Sequence, residues 1–131
     1  MSDRAWQPFS SGPGVAAPAG AYSPVVRAGD FVFVAGQIPK HPETGELVGT
    51  DVRTQTVQVL ENLRAALALA GATLDDIVQI GAFLANEDDW GTFNEIYGKT
   101  LRAPYPTRTT VGVSLRGGVL VEVNAVAYVR R

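Results

Sequence analysis

The chain has 131 residues, of which 46% are hydrophobic and 18% charged, a composition typical of one globular domain. Its formal net charge of −2 argues against nucleic acid as a partner, and the absence of cysteine excludes disulfides, thiolate nucleophiles and cysteine-ligated metals. No apolar run reaches the ~20 residues that cross a bilayer, and residues 1–6 lack the apolar core of a signal peptide, so we expect a cytoplasmic protein without membrane contact.

The N-terminal segment, residues 1–19, is rich in glycine, serine, alanine and proline. We expect it to form a flexible lead-in to a domain over residues 20–131. Two short β-forming runs then flank Gly29-Asp30, which predicts a hairpin. The second run, Phe31 to Ala35, stops at Gly36. This glycine marks either a plain strand end or a backbone amide presented to a ligand.

The middle of the chain predicts a loop, a helix and a third strand. Residues 38–50 form a surface loop that contains the single histidine, His41, so no metal site with several histidines fits within one chain. Apolar residues then recur at helical spacing, which predicts an amphipathic helix capped by Asp51 and ended by Gly71. Residues 77–84 favour a strand, although a helix also fits so short an apolar run.

A second helix is predicted from Trp90 to Leu101. The acidic pair Asp88-Asp89 before it favours a helix start over a cation site, because acids stabilise helix N-termini and no glycine-spaced calcium loop follows. The expected buried stripe consists of Trp90, Phe93, Ile96, Tyr97 and Thr100. Asn94 lies near the edge of this stripe and is a candidate ligand contact.

Arg108 begins a predicted strand over residues 108–113, directly after the rigid turn Pro104 to Pro106. Residues 119–128 form a further strand, and the short connection between the two predicts an antiparallel pair. Arg108 and Glu122 would then lie on neighbouring strands, where they can share a face. Two interpretations follow: a structural cross-strand ion pair, or a carboxylate clamp beside a catalytic acid.

The last strand has one wholly apolar face, which must pack under the two helices. The opposite face carries Glu122 and Asn124 among apolar residues. An uncovered, mixed face of this kind predicts self-association and a site at the junction between subunits.

Several motifs occur in order along the chain: Gly20-Ala21-Tyr22-Ser23-Pro24, Val34-Ala35-Gly36-Gln37-Ile38-Pro39, Thr44-Gly45-Glu46, Gln58-Val59-Leu60-Glu61-Asn62-Leu63, Phe93-Asn94-Glu95-Ile96-Tyr97, Pro106-Thr107-Arg108-Thr109-Thr110-Val111 and Val121-Glu122-Val123-Asn124-Ala125-Val126-Ala127. Together they resemble the RidA (YjgF-like) family of enamine/imine deaminases. The resemblance implies an α+β fold like that of chorismate mutase, with a mixed β-sheet backed on one face by two helices. It also implies a homotrimer with sites in the clefts between subunits.

The resemblance also implies roles for individual residues. Arg108 looks like the arginine that pairs with the substrate carboxylate, and Glu122 looks like the acid that positions water. The remaining substrate-binding residues implied by the family are Tyr22, Ala35, Gly36, Asn94 and Thr110. The pattern departs from the family at Ala35, where serine is frequent, and at Thr110, where cysteine is frequent.

The implied activity is hydrolysis of short 2-aminoacrylate-type enamines, in their imine form, to 2-oxo acids and ammonia. Neither a metal nor an organic cofactor is expected. Three alternatives stay open: a non-catalytic protein that binds 2-oxo acids, a deaminase of a larger catabolic imine, and the RNA-cleaving or translation-inhibiting role assigned to some relatives. The acidic composition argues against the last of these.

Overall fold

The computed structural model describes residues 3–130. Within them lie six strands: β1 (Gln7–Phe9), β2 (Val25–Ala28), β3 (Phe31–Gln37), β4 (Ile77–Leu84), β5 (Thr107–Gly112) and β6 (Val121–Tyr128). The helices are α1 (Val52–Leu69) and α2 (Trp90–Thr100), with 3₁₀ turns at Leu74–Asp76 and Glu87–Asp89. The strands form one mixed sheet in the order β1-β2-β3-β6-β4-β5, so β1 and β5 are its edges.

Both helices pack on one face of this sheet, because alternate strand residues and one stripe of each helix are apolar. The side chain of Asp51 caps α1 by accepting a hydrogen bond from the backbone N–H of Thr54 at 2.8 Å. Gly71, two residues beyond the end of α1, has a φ of 79°. The buried face of β6 consists of Val121, Val123, Ala125 and Ala127, as the alternation predicted.

Most of the predicted elements are confirmed. The hairpin turns at Gly29-Asp30, residues 77–84 form a strand and not a helix, and α2 begins directly after the acidic pair. The predicted stripe of α2 was wrong at two positions. Phe93, Ile96 and Tyr97 are buried, but Trp90 is 47% exposed and Thr100 is exposed as well.

The predicted pairing of the last two strands was wrong. β4 lies between β5 and β6, pairing parallel with β5 and antiparallel with β6. The connection from β5 therefore crosses the end of β4 instead of forming a hairpin. There Val113 N donates to Leu84 O at 2.9 Å and Ala85 N donates to Leu120 O at 3.0 Å. The order β4–α2–β5 is a strand–helix–strand crossover, which joins parallel strands.

The N-terminal segment also differs from its prediction. β1 falls inside residues 1–19, which were expected to form a flexible lead-in, and it pairs antiparallel with β2. Phe9 is partly buried against the hydrophobic core, which explains why these residues join the sheet. The division of the chain at residue 20 stays a prediction. In residues 3–130 neither helix combines the length and apolar character needed to cross a membrane.

Candidate functional site

Arg108 lies on the helix-covered face of the sheet. It stands opposite Ile80 in the parallel pairing of β4 and β5, and opposed residues share a face. Its guanidinium carbon lies 4.7 Å from the ring centroid of Tyr97, 5.5 Å from that of Trp90 and 5.6 Å from that of Phe93. These distances are in the range of cation–π contacts. Arg108 forms no hydrogen bond or ion pair within residues 3–130, so its donors are available to a ligand.

A cavity of about 360 Å³ opens beside Arg108. Its wall comes from α2 and from the segment before β5, and the lining residues are Asn94, Tyr97, Gly98, Tyr105, Pro106 and Arg108. Asn94 and Tyr97 are three residues apart, so they are neighbours on the helix surface. Asn94 was a candidate ligand contact from the sequence, whereas Tyr97 was expected only in the buried stripe of α2. Their helical spacing was the available signal that Tyr97 reaches the same cavity.

Two buried polar atoms near Arg108 lack a partner. Among residues 3–130, the buried side-chain oxygen or nitrogen atoms without a hydrogen bond are Tyr97 Oη and Thr110 Oγ1. Thr110 follows Arg108 on the same face of β5. Burial is the main cause that raises the pKa of Tyr97, so its hydroxyl stays protonated as a donor. Polar atoms left unpaired in a protein interior are costly, and they concentrate here around the arginine.

Glu122 lies on the opposite, open face of the sheet. Burial raises the pKa of its carboxyl group, and Glu122 forms no ion pair or hydrogen bond with residues 3–130. It lines a cavity of about 420 Å³ together with Lys40, Ser114 and Arg116. A carboxyl group with a raised pKa and no fixed partner is suited to exchange protons with a ligand or water.

Gly36 lies directly against Glu122. A Cβ atom at residue 36 would overlap Glu122 Oε2, and the φ of Gly36 is not in the positive range. Close approach is therefore the reason for glycine at this position. The pairing of β3 with β6 shifts register between Val34 and Gln37, so Gly36 lies in an irregular stretch of β3.

Tyr22 and Ala35 lie near Gly36. Tyr22 is 53% exposed, and its hydroxyl accepts a hydrogen bond from Ala19 N at 3.4 Å. Tyr22 and Gly36 line one cavity of about 280 Å³. The N–H of Ala35 donates to Pro24 O at 2.9 Å, which ties β3 to the segment before β2.

The residues implied by the family therefore form two separate groups. We call Asn94, Arg108 and Thr110 the arginine half-site. We call Tyr22, Ala35, Gly36 and Glu122 the glutamate half-site. The expectation that Arg108 and Glu122 share a face was wrong, because β4 separates their strands and their side chains leave opposite faces. No ion pair joins them, so the structural ion-pair interpretation was wrong as well.

The chain has the α+β architecture of a mixed sheet with two helices on one face, which it shares with solved structures of this class. The chain belongs to the RidA (YjgF-like) family, since the family model described as Endoribonuclease L-PSP matches residues 14–129.

Three relatives illustrate the similarity. A RutC family protein of Pyrococcus horikoshii is 44% identical over 112 residues, covering 85% of this chain and 89% of the relative. A 2-iminobutanoate/2-iminopropanoate deaminase of Dermatophagoides farinae is 31% identical over 113 residues, covering 86% and 88%. The crystal structure of Escherichia coli TdcF with bound serine superposes with a TM-score of 0.85 at 34% identity, covering 95% of this chain and all of that one.

Proposed function

We propose that this protein hydrolyses short 2-aminoacrylate-type enamines, in their imine form, to 2-oxo acids and ammonia. The observation that carries the proposal is Arg108, whose guanidinium lies over three aromatic rings and has no hydrogen-bond or ion-pair partner among the described residues. A relative that is 31% identical is named as a deaminase of such imines. The half-sites supply a carboxylate clamp and a proton acceptor, which are the two groups that this hydrolysis needs.

Arg108 binds the substrate carboxylate in this proposal. The planar guanidinium matches the two oxygens of a carboxylate with two parallel hydrogen bonds. Thr110 Oγ1, which is buried without a partner, supplies a further polar contact beside it. Asn94 lines the same cavity as Arg108 and provides an amide for the substrate. Holding the imine in one orientation supplies much of a modest rate gain.

Glu122 activates water. Its carboxylate takes a proton from a water molecule while the oxygen of that water forms a bond to the imine carbon. The electron pair of the C=N π bond moves to the nitrogen, and Glu122 returns the proton to that nitrogen. The resulting carbinolamine then loses ammonia and leaves the 2-oxo acid. The raised pKa of Glu122 makes it a stronger base than an ordinary glutamate. The absence of a side chain at Gly36 leaves space for this carboxylate.

Each site combines two copies of the chain, arranged as a homotrimer. Support comes from the opposed half-sites, since one chain directs Arg108 and Glu122 to different faces of its sheet. The open face also exposes large apolar side chains in the described region, among them Phe31, Phe33, Val111 and Tyr128. Exposed apolar surface of this kind marks an association surface.

The test generates 2-aminocrotonate with a pyridoxal-phosphate-dependent dehydratase and follows 2-oxo acid formation. Arg108→Ala and Glu122→Gln should each remove most of the acceleration. Arg102→Ala is the matched control, because the side chain of Arg102 is 79% exposed and pairs with Asp75 outside either half-site. Undiminished acceleration in Arg108→Ala would contradict the clamp, and an unchanged rate in Glu122→Gln would leave that residue with a structural role.

Mixing the two inactive variants tests the shared site. Co-refolding equal amounts of Arg108→Ala and Glu122→Gln creates some junctions in which both partners keep the needed residue. For random assembly into a ring, about a quarter of the junctions carry both groups, so about a quarter of the activity returns. A mixture that stays inactive while forming the same oligomer would place both groups of a site in one chain.

The same assay separates the alternatives. Saturable binding of 2-oxobutyrate without any turnover would identify a non-catalytic binding protein. Turnover of bulkier imines with little turnover of 2-aminocrotonate would identify a deaminase of a larger imine. RNA cleavage that survives Arg108→Ala would favour the activity in the description of the family model.

A further inference from the structure

Trp90 is the residue of α2 whose environment is least explained by packing. Trp90 lies on the apolar side of α2, one and two turns before Phe93 and Tyr97. Nevertheless 47% of its surface is exposed, whereas Phe93 is 0% and Tyr97 is 3% exposed. A large apolar ring left in solvent at the start of a helix gains little from the core. Its described contact is with Arg108, whose guanidinium carbon lies 5.5 Å from the ring centroid.

The three rings surround the guanidinium in different ways. Phe93 and Tyr97 are buried in the core, whereas Trp90 contacts the same guanidinium from a half-exposed position at the start of α2. Rings attract a guanidinium through its flat faces, which leaves its N–H groups at the edge pointing away from them. An arginine held in this way is ready to bind a carboxylate through that edge.

We propose that Trp90 is a positioning residue, which holds the Arg108 guanidinium in the orientation that binds a ligand carboxylate. A free arginine side chain samples many rotamers and loses that freedom on binding. A ring that restricts it beforehand lowers this cost and strengthens binding. The ring also displaces water from one side of the cation. The inference rests on the part of the proposed function in which Arg108 binds a carboxylate, and the ligand is again a short 2-oxo acid.

The first experiment compares Trp90→Ala, Trp90→Phe and the unsubstituted protein by calorimetry with 2-oxobutyrate and by imine turnover. Trp90→Ala should raise Kd and KM about tenfold and leave kcat within about threefold, because the lost interaction is equal in ground state and transition state. Trp90→Phe retains a ring over the cation and should recover most of the affinity. The thermal midpoint should change little, since Trp90 is half exposed.

The chain offers a closely matched control. Trp6 is also exposed, at 38%, and also lies near an arginine, with Arg4 Cζ 5.4 Å from its ring centroid. It precedes β1, at the edge of the sheet opposite β5. Trp6→Ala should therefore leave Kd, KM and kcat unchanged. A tenfold loss in Trp6→Ala as well would mean that removing any exposed tryptophan weakens the protein, which would overturn the inference.

A spectroscopic signature separates positioning from packing. The chain has two tryptophans, so in a Trp6→Phe background the emission comes from Trp90 alone. Adding 2-oxobutyrate should change this emission saturably, with the Kd that calorimetry gives. The same titration in Trp6→Phe with Arg108→Ala should give no saturable change. If calorimetry shows saturable binding of 2-oxobutyrate but the Trp90 emission stays constant, Trp90 does not lie beside the bound carboxylate.

The outcomes also separate this inference from the proposed function. If both proteins turn over the imine and Trp90→Ala binds 2-oxobutyrate with the same Kd as the unsubstituted protein, the role of Trp90 is overturned and the deaminase proposal stands. Binding without turnover, weakened about tenfold in Trp90→Ala, would overturn the deaminase proposal and support the role of Trp90. A loss in kcat alone with a lower thermal midpoint, or no 2-oxo acid binding by the unsubstituted protein, would overturn the inference.

Discussion

The carboxyl group of Glu122 occupies the space that a side chain on Gly36 would need. The two residues belong to the neighbouring strands β6 and β3, at the stretch where the register between these strands shifts. The position of the carboxylate therefore depends on an absent side chain in the next strand. We expect Gly36→Ala to displace Glu122 and to lower kcat/KM at least about tenfold, as measured in the imine assay.

Gly91→Ala is the control for this substitution. Gly91 lies in α2, where a Cβ atom at residue 91 would meet no other atom within 4 Å, and alanine is a better helix former than glycine by about 1 kcal/mol. We expect Gly91→Ala to keep full activity and to raise the free energy of unfolding. Unchanged activity in Gly36→Ala would mean that Glu122 can move without loss of activity, which would contradict its role as a base that acts from a fixed position.

The raised pKa of Glu122 predicts how stability depends on pH. Burial keeps the folded carboxyl protonated above the ordinary value of 4.5, while the unfolded chain releases its proton near that value. The folded state therefore binds more protons in the interval above pH 4.5, so its stability falls as pH rises through the folded pKa. Glu122→Gln should be more stable than the unsubstituted protein at pH 8, with the difference shrinking toward pH 4.

Urea unfolding at both pH values measures this difference, at one fixed protein concentration so that self-association affects both proteins alike. Glu87→Gln serves as the control, since Glu87 is exposed in the 3₁₀ turn before α2. A stability difference for Glu122→Gln that grows toward pH 4 would have the wrong sign for a carboxyl group with a raised pKa.

Arg108→Lys tests whether shape matters as well as charge. Lysine keeps the positive charge but loses the planar fork and the flat faces that lie over Tyr97 and Trp90. We expect KM to rise at least about tenfold, with the thermal midpoint nearly unchanged. Steady-state kinetics beside Arg102→Lys, an exposed position, would measure the effect. Equal KM values for the two variants would show that a positive charge alone is sufficient.

Asn124 stabilises the centre of the sheet through its side chain. Its Oδ1 accepts a hydrogen bond from the backbone N–H of Gly81 at 3.0 Å, and the two residues face each other across β4 and β6. Asn124→Ala leaves that N–H without a partner and should cost about 1 kcal/mol in the free energy of unfolding. Asn124→Asp keeps an acceptor and should lose less by denaturant titration; the reverse order would contradict this assignment.

Local sequence patterns predicted most helices and strands well, because apolar alternation, helix caps and turns depend on residues that are close together in the sequence. The exposed Trp90 broke the pattern, since helical spacing cannot distinguish a ring that faces the core from one that covers a cation. Strand order was harder, because it depends on pairs distant in sequence. The short connection to β6 favoured a hairpin, whereas the strand–helix–strand order through α2 correctly indicates parallel β4 and β5.

The residue pattern alone suggested Gly36, Asn94, Arg108 and Glu122 as site candidates, and the resemblance assigned their roles, which stay predictions. Arg108 was a candidate carboxylate clamp from the sequence, and that role stays a prediction. Its relation to Glu122 required the strand order. Once β4 lies between them, residue parity along β5 and β6 fixes the two side chains on opposite faces. Tyr97 escaped notice because a buried aromatic residue on a helix is ordinarily part of the core.

The opposed half-sites have a consequence for how activity would be measured and controlled. If each site needs Arg108 from one copy and Glu122 from another, an isolated chain is a complete fold but an incomplete catalyst. Specific activity would then fall on dilution below the dissociation constant of the oligomer, with no chain unfolding. Activity in a cell would then depend on the concentration of the chain, since at low concentration most copies would be isolated and inactive.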